Sequence, residues 1–399
     1  MNIFSKCYCR TFQFVMKYAM RLMNFPIPEI IHGLDTLPDQ VQKEGINSIL
    51  IVTDDFLHNK GKLIEGLKAG LEEKGIKYVV FDKTVPNPTI ENINDAYAMY
   101  KENGCTGIIA FGGGSPMDCA KGVGALVARP NKTIPQLKGL LKIHKKLPPL
   151  FAVPTTSGTG SEATVAAVIS NPETKEKYPI NDPVLIPKYA VLEPKLTLGL
   201  PPQITSTTGL DALTHAVEGY IGRSNSNATR EWSIKATKLI FENLVDVYND
   251  GSDEKKRKNM QYAALFAGEA FTRSYVGYVH SIAHTIGGYY HVPHGLACAI
   301  ILPHLLDWYG ASIYKPLSEL ANAVGIKGVN EEAMAKEFIN RVKEMNKIMN
   351  IPTQIEQIQE ADIPEMVAKS LSEANPLYPV PKLMDKKDME AMYRELMVK

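Results

Sequence analysis

The chain has 399 residues, 45% of them hydrophobic and 22% charged, with a formal net charge of +1. This balance describes a globular protein long enough for two domains, and it excludes the basic surface of a nucleic-acid binder and the composition of a disordered chain. No uncharged apolar run is long enough to span a membrane, and the five cysteines (Cys7, Cys9, Cys105, Cys119 and Cys298) read as reduced, cytoplasmic thiols rather than a disulfide framework or zinc cage.

Residues 1–28 contain no acid. Lys6, Arg10, Lys17 and Arg21 fall near one helical stripe, with Phe12, Val15, Tyr18, Ala19 and Leu22 around the other side. Such a basic amphipathic helix suits a transit peptide, a membrane-surface anchor, or an arm packed on the protein's own body or on a second copy. The basic residues interrupt the apolar stretch, which argues against a secretory signal.

After Pro26 and Pro28 the chain alternates. Short β-branched runs at 49–53, 78–81, 107–111 and 150–153 predict strands, with further ones at 165–169 and 189–192. Helical patterns separate the early strands, at about 62–73, 90–100 and from near Pro116. Strands alternating with helices predict a mostly parallel, Rossmann-like sheet covered on both faces. Beyond Leu200-Pro-Pro202 strand signals almost vanish, and helical periodicity dominates at about 204–221, 229–249, 253–272, 278–288, 295–308 and 331–349. The expected organisation is an arm (1–28), an α/β domain (29–200) and an all-helical domain (201–399).

Two loops follow strands in the α/β half. Phe111-Gly-Gly-Gly-Ser-Pro-Met-Asp118 opens a helix, so its glycines let a phosphate approach unpaired N–H groups at the positive end of the helix dipole. Ser115 is expected to cap that helix, with Pro116 in its first position. Pro154-Thr-Thr-Ser-Gly-Thr-Gly-Ser-Glu162 is a second polar loop at the carboxyl end of the sheet, where open α/β sheets bind ligands. The first loop is not Gly-x-Gly-x-x-Gly, and there is no Walker Gly-Lys-[Ser/Thr], so ATP is not implied. Ile51-Val-Thr-Asp-Asp55 ends its strand in acids; a carboxylate there suits the ribose hydroxyls of NAD, and an ordinary turn suits it equally.

In the helical half, residues 279–295 hold four of the nine histidines: His280, His284, His291 and His294. His280 and His284 share a helical face, and Gly287-Gly288 is expected to break that helix. Asp211 and His215 are likewise four apart. Asp211, His215, His280 and His294 together would offer one oxygen and three nitrogens, a set for Fe(II), Zn(II), Mn(II) or Co(II) rather than Mg or Ca. On spacing alone, a metal centre and a group of satisfied core histidines stay equally open.

These stretches, with Val85-Pro-Asn-Pro88, Lys177-Tyr-Pro-Ile180 and Ala267-Gly-Glu-Ala-Phe271, resemble the iron-containing (group III) alcohol dehydrogenases, in that family's order over about residues 29–380. The resemblance implies a dehydroquinate synthase-like fold and a homodimer. It implies metal ligands at Asp211, His215, His280 and His294, normally for Fe(II), and a catalytic histidine, His284, beside the nicotinamide. It implies cofactor contacts at Asp54, Gly113, Gly114, Ser115, Asp118, Thr155, Thr156, Thr159 and Lys177, and a substrate pocket lined by Phe271. The implied reaction is reversible hydride transfer between a small primary alcohol or diol, held on the metal as its alkoxide, and NAD, with NADP as the second choice. Three other functions compete: a dehydroquinate synthase-like lyase, a metallohydrolase without nucleotide, and a non-catalytic metal or nucleotide sensor. The lyase would need extra basic residues for an anionic substrate, the hydrolase leaves the glycine loop unexplained, and the complete ligand set argues against the sensor. His291 and His304 read as structural.

Overall fold

A computed structural model describes residues 1–173 and 176–398. The chain forms two compact units, one of residues 24–199 and one of residues 1–23 with 200–399.

The first unit is a sheet covered by helices. Its strands are β1 (Glu29–His32), β2 (Ser48–Val52), β3 (Lys77–Phe81), β4 (Gly107–Gly112), β5 (Gly139–Leu140), β6 (Leu150–Pro154), β7 (Ala166–Asn171), β8 (Glu176–Asn181) and β9 (Tyr189–Leu192). Six form a parallel sheet in the order β1-β9-β6-β4-β2-β3; the others form a smaller sheet, β5-β8-β7. The central strands are apolar on both faces, as a sheet buried between helices requires. Leu50, Val52, Ile108 and Ala110 pack into one layer with Ile93 and Ala96, whereas Ile49, Ile51, Ile109 and Phe111 pack into the other with Leu37, Val41, Leu67 and Leu71. Those partners belong to helices α4 (Ile90–Glu102) on the first face, and α2 (Leu37–Lys43) and α3 (Glu65–Glu73) on the second. Helix α5 (Gly114–Ala128) joins the first layer through Met117, Ala120 and Val123. The edge strand β1, the two-residue β5, and β8, with Pro179 inside it, carry too weak a pattern to be read from sequence.

The second unit is helical. Helix α1 (Ile3–Leu22) precedes α6 (Pro202–Ile221), α7 (Asn227–Asn249), α8 (Glu254–Ser274), α9 (Tyr278–Tyr290), α10 (His294–Tyr309), α11 (Tyr314–Ala323), α12 (Glu331–Ile348), α13 (Ile363–Ala374) and α14 (Lys386–Leu396). Its core runs through Leu210, Leu213, Val217, Val279, Ile282, Ile286, Ile300 and Leu305, so α6, α9 and α10 lie at the centre of one apolar cluster. Among the described residues, no helix is long and apolar enough to cross a membrane.

Candidate metal centre and dinucleotide loops

Strand β4 ends at Gly112 opposite Pro154, the end of β6, so their loops emerge side by side. Asp54 lies just past β2, the next strand in the sheet. Helix α5 begins at Gly114 with Gly113 as its N-cap; no side chain caps it and its first turn holds no acid. The first N–H groups of such a helix lack helical partners and sit at the positive end of the dipole. A Cβ on Gly114 would lie 3.0 Å from Thr159 Cγ2, and one on Gly113 would lie 3.3 Å from Thr156 Oγ1. Glycine therefore lets the threonine loop close against the helix start, and the cradle fits a pyrophosphate.

Ser115 does not cap α5, because the helix starts one residue before it. Its hydroxyl instead accepts the Asn87 N–H at 3.1 Å. Asn87 has left-handed backbone (φ 58), and its side-chain oxygen accepts from Lys177 Nζ at 2.6 Å. Ser115 and Lys177 are thus joined through a residue that sequence reasoning gave no individual role. Thr155 is buried, its N–H bonded to the Gly112 carbonyl at 3.1 Å. Asp54 accepts the Leu57 N–H at 3.0 Å and so closes its own turn.

Asp118 turns into the protein, where one carboxylate oxygen accepts from Ser161 Oγ at 3.1 Å and the other from the Val168 N–H at 3.1 Å. Burial pushes its pKa up, against the pull of Lys121. Lys121 is fully buried and donates to Ser161 Oγ, Thr164 Oγ1 and the carbonyls of Thr164 and Ala166, each at 2.9 Å. This buried acid–lysine pair braces the threonine loop from beneath.

In the helical unit, α6 carries Asp211, His215 and Glu218 at positions that share a face. Helix α9 carries His280 and His284, and α10 starts at His294 and carries Cys298 one turn on. The close approach of α10 to α6 needs glycine at 295, where a Cβ would sit 2.4 Å from the Thr207 carbonyl oxygen. Gly287 and Gly288 do not break α9, which runs through both to Tyr290. Interior glycine costs a helix about 1 kcal/mol each, and the buried side chains from Tyr278 to Ile286 offset it. The chain turns instead at His291, in left-handed conformation with its N–H on the Gly287 carbonyl at 3.1 Å.

Ligand atoms of Asp211, His280, His294 and Cys298 all lie within 4.8 Å of one another, the candidate metal cluster among the described residues. Asp211 Oδ1 is 3.6 Å from His294 Nε2. Among the described residues, no hydrogen-bond partner meets the buried Nε2 of His280. Its Nδ1 lies 2.6 Å from Glu218 Oε2, and Glu218 is itself fixed by the N–H groups of Gly277 and Val279 at 2.8 and 2.9 Å. A histidine held this way presents one defined nitrogen, as metal-ligating histidines do. Burial opposes charge on this imidazole, but the Glu218 hydrogen bond and the charges of Glu218, Asp211 and Glu373 raise its pKa above the ordinary value. The same negative field favours a divalent cation, so the donors and their surroundings fit a metal.

His215 follows Asp211 by one turn of α6. Its ring stacks on Phe271 at 4.1 Å between centroids and on His280 at 4.5 Å. Phe271 is therefore packed against His215. His284 stacks on His294 at 5.1 Å, and its Nδ1 lies 2.7 Å from Glu373 Oε1, which also accepts from the Tyr378 hydroxyl at 2.8 Å. Sequence reasoning missed three of these participants. Glu218 and Cys298 were findable, at helical spacing from His215 and His294; Glu373, on α13, carries no local signal.

The chain is similar to known proteins along most of its length. Residues 29–194 match the model for iron-containing alcohol dehydrogenase, and residues 205–397 match that for the C-terminal part of the Fe-containing alcohol dehydrogenase family. Alcohol dehydrogenase 4 of Saccharomyces cerevisiae is 38% identical over 328 residues, 82% of this chain and 84% of that protein. The chain belongs to the iron-containing alcohol dehydrogenase family. The NAD-dependent methanol dehydrogenase of Bacillus methanolicus is 34% identical over 338 residues, 84% of this chain and 88% of its own. The crystal structure of 1,3-propanediol oxidoreductase superposes with a TM-score of 0.89 at 32% identity, covering 94% of this chain and 100% of that one. As a member of this iron-containing family the protein is an oxidoreductase, which decides against the lyase, hydrolase and sensor readings; residues 1–28 lie outside both family models.

Proposed function

We propose that the protein catalyses reversible hydride transfer between a small primary alcohol or diol and NAD, yielding the aldehyde. The observation that carries this reading is the cluster of Asp211, His280 and His294, with Glu218 fixing the free nitrogen of His280. Asp211, His215, His280 and His294 would hold the divalent ion. Gly113, Gly114, Thr156 and Thr159 would receive the pyrophosphate, Asp54 the ribose hydroxyls, and Asn87 would keep Ser115 and Lys177 in place beside them. When bound, the metal supplies Lewis acidity and the nicotinamide accepts hydride.

The chain's own groups do the rest. Glu373 accepts the Nδ1 proton of His284, which leaves Nε2 of that ring able to take a proton from the alcohol side and pass it on. His284 is 29% exposed, so the proton has a route to water. The stack of Phe271 on His215 presents an apolar ring beside the donors, suited to the carbon chain of a short alcohol. Asp54 favours NAD over NADP, whose extra phosphate it would repel. A homodimer and a cytoplasmic location complete the reading; the latter is supported by the absence of any disulfide among the described cysteines.

The test is NADH and NADPH oxidation over a panel of short aldehydes after reconstitution with Fe(II). Turnover should be faster with NADH and should vanish in His280→Ala and His294→Ala together with bound metal. Full metal content and turnover in both variants would overturn the assignment.

A further inference from the structure

Helix α1 shows solvent a face that a globular body normally buries. Phe4, Tyr8, Phe14, Val15, Tyr18 and Leu22 are all exposed, Phe4 and Leu22 at 83% and 90%. At 3.6 residues per turn they fall within about 120° of one another around the helix axis. Phe14 and Tyr18 touch, with ring centroids 4.8 Å apart. The helix is fastened by its other sides: Cys9, Gln13 and Met20 are buried, and Arg10, Gln13 and Lys17 donate to carbonyls of the helical unit. A contiguous apolar patch left in water marks a surface for a partner.

The charge around this face selects the partner. Residues 1–28 carry Lys6, Arg10, Lys17 and Arg21 and no acid, so of the 44 basic and 43 acidic residues the rest of the chain holds 40 and 43. The arm is therefore +4 beside a body of −3. Lys6 and Arg21 are exposed, and the Arg21 guanidinium lies 5.5 Å from the centroid of the Tyr18 ring. The charged groups that act on Lys17 are Arg21 and Arg223, both positive. Asp385 meets the arm at its start, 2.7 Å from the amino group of Met1. A second arm laid along this one would set positive charge on positive charge, with no acid to pair across the seam.

We propose that α1 is a peripheral anchor that lays its exposed face on the surface of an anionic phospholipid bilayer. Such a face enters about 5–10 Å, to the boundary between headgroups and acyl chains. Phe4, Phe14, Val15 and Leu22 supply the apolar contact. Tyr8 and Tyr18 suit the headgroup level, where an amphipathic ring keeps its hydroxyl wet. Lys6 and Arg21 meet the anionic headgroups, and the cytoplasmic leaflet is the surface of matching charge. No helix among the described residues crosses a membrane, so the contact is one of adhesion. The bonds of Arg10, Gln13 and Lys17 tie the arm to the helical unit, which brings that unit to the surface with it. The inference is independent of the substrate and cofactor proposed above.

The experiment is co-sedimentation of the full-length protein with vesicles of phosphatidylserine and phosphatidylcholine, and with vesicles of phosphatidylcholine alone. Wild type should pellet with the mixed vesicles, bind pure phosphatidylcholine more weakly, and be released by high salt. The triple variant Phe4→Gln, Phe14→Gln, Leu22→Gln should partition at least about a hundredfold less, since burying one such side chain contributes about tenfold or more. The double variant Lys6→Gln, Arg21→Gln should lose about fivefold for each charge removed. All five positions are exposed, so both variants should keep the wild-type melting temperature. Failure of wild type to pellet, equal binding to both vesicle types, or wild-type partitioning in either variant would overturn the anchor. Sedimentation velocity without vesicles tests the other occupant. A wild type that forms a larger species than the triple variant would give the face to a second copy, and would also overturn the anchor.

Discussion

Single residues carry three predictions. His284 lies outside the metal cluster but is fixed by Glu373. His284→Ala should keep its metal and lose turnover by roughly 10²- to 10⁴-fold, the usual share of a positioned acid or base; elemental analysis beside NADH oxidation reads both, and loss of metal would make His284 a ligand. Glu218→Gln should weaken metal retention by about 10- to 100-fold, because the carboxylate sets which nitrogen of His280 is offered; competition with a chromogenic chelator measures this, and unchanged retention would reduce Glu218 to a loop anchor. Lys121 gives the pH prediction. Burial pulls its pKa from 10.5 down to about 8, with Asp118 and Glu162 pulling back. Between those values the unfolded chain holds the proton and the native state does not, so this group's contribution to stability rises with pH. In urea unfolding, wild type should gain on Lys121→Met from about pH 8 upward; a constant difference would mean Lys121 stays charged in the fold. Chemistry that shows in a helical spacing was legible in the sequence: Asp211 and His215, like His280 and His284, are four apart on one helix. The Ser115 cap was not legible, because a hydroxyl at a helix start has several acceptable bonds and tertiary packing chose the Asn87 N–H; the same packing gives Asp118 its bonds to Ser161 and Val168.

At the scale of elements, the period of the pattern was legible and its ends were not. The central parallel strands announce themselves as β-branched runs, and α6 to α10 as long apolar stripes; β1, β5 and β8 do not, being short or at edges. Helix α1 shows a different failure, of orientation. Its 3.6-residue pattern predicts a helix, and an apolar face normally turns inward. Here Cys9, Gln13 and Met20 are buried, while Phe4, Tyr8, Phe14, Val15, Tyr18 and Leu22 are exposed. The attachment is polar: Arg10 donates to the carbonyls of Val380 and Pro381 at 2.7 and 2.9 Å, Gln13 to that of Tyr378 at 2.7 Å, and Lys17 to that of Arg223 at 2.9 Å. Hydrogen bonds from a charged donor contribute about 1.5–3 kcal/mol each. Arg10→Ala should therefore make local opening of residues 3–22 at least about tenfold more frequent, read by amide hydrogen exchange, with α6 to α10 unchanged. Equal protection in variant and wild type would show that the buried Cys9 and Met20 hold the helix instead.

For the whole molecule, the boundary at residue 200 divides two kinds of chemistry as well as two folds. A parallel sheet presents loops at its carboxyl edge, and a helix start there can meet an anion with backbone alone. Packed helices present side chains at fixed spacing, which suits a metal. Each unit accordingly depends on a glycine that admits a close neighbour, and the two glycines allow a double dissociation. Gly114→Val would push a branched side chain into Thr159, already 3.0 Å from a bare Cβ. Overpacking of that kind costs about 1–3 kcal/mol, so the NADH dissociation constant should rise roughly 5- to 150-fold while bound metal stays at wild-type level. Gly295→Ala would set a methyl 2.4 Å from the Thr207 carbonyl oxygen and 3.4 Å from Asp211 Cβ. Backbone cannot yield there as a side chain tip can, so α10 must shift from α6, carrying His294 away from Asp211. That variant should lose metal and keep its NADH affinity. Fluorescence titration with NADH and elemental analysis on the same preparations decide the matter. If Gly114→Val loses metal with NADH binding intact, or Gly295→Ala does the reverse, the division of labour between the units is wrong even though each fold is right.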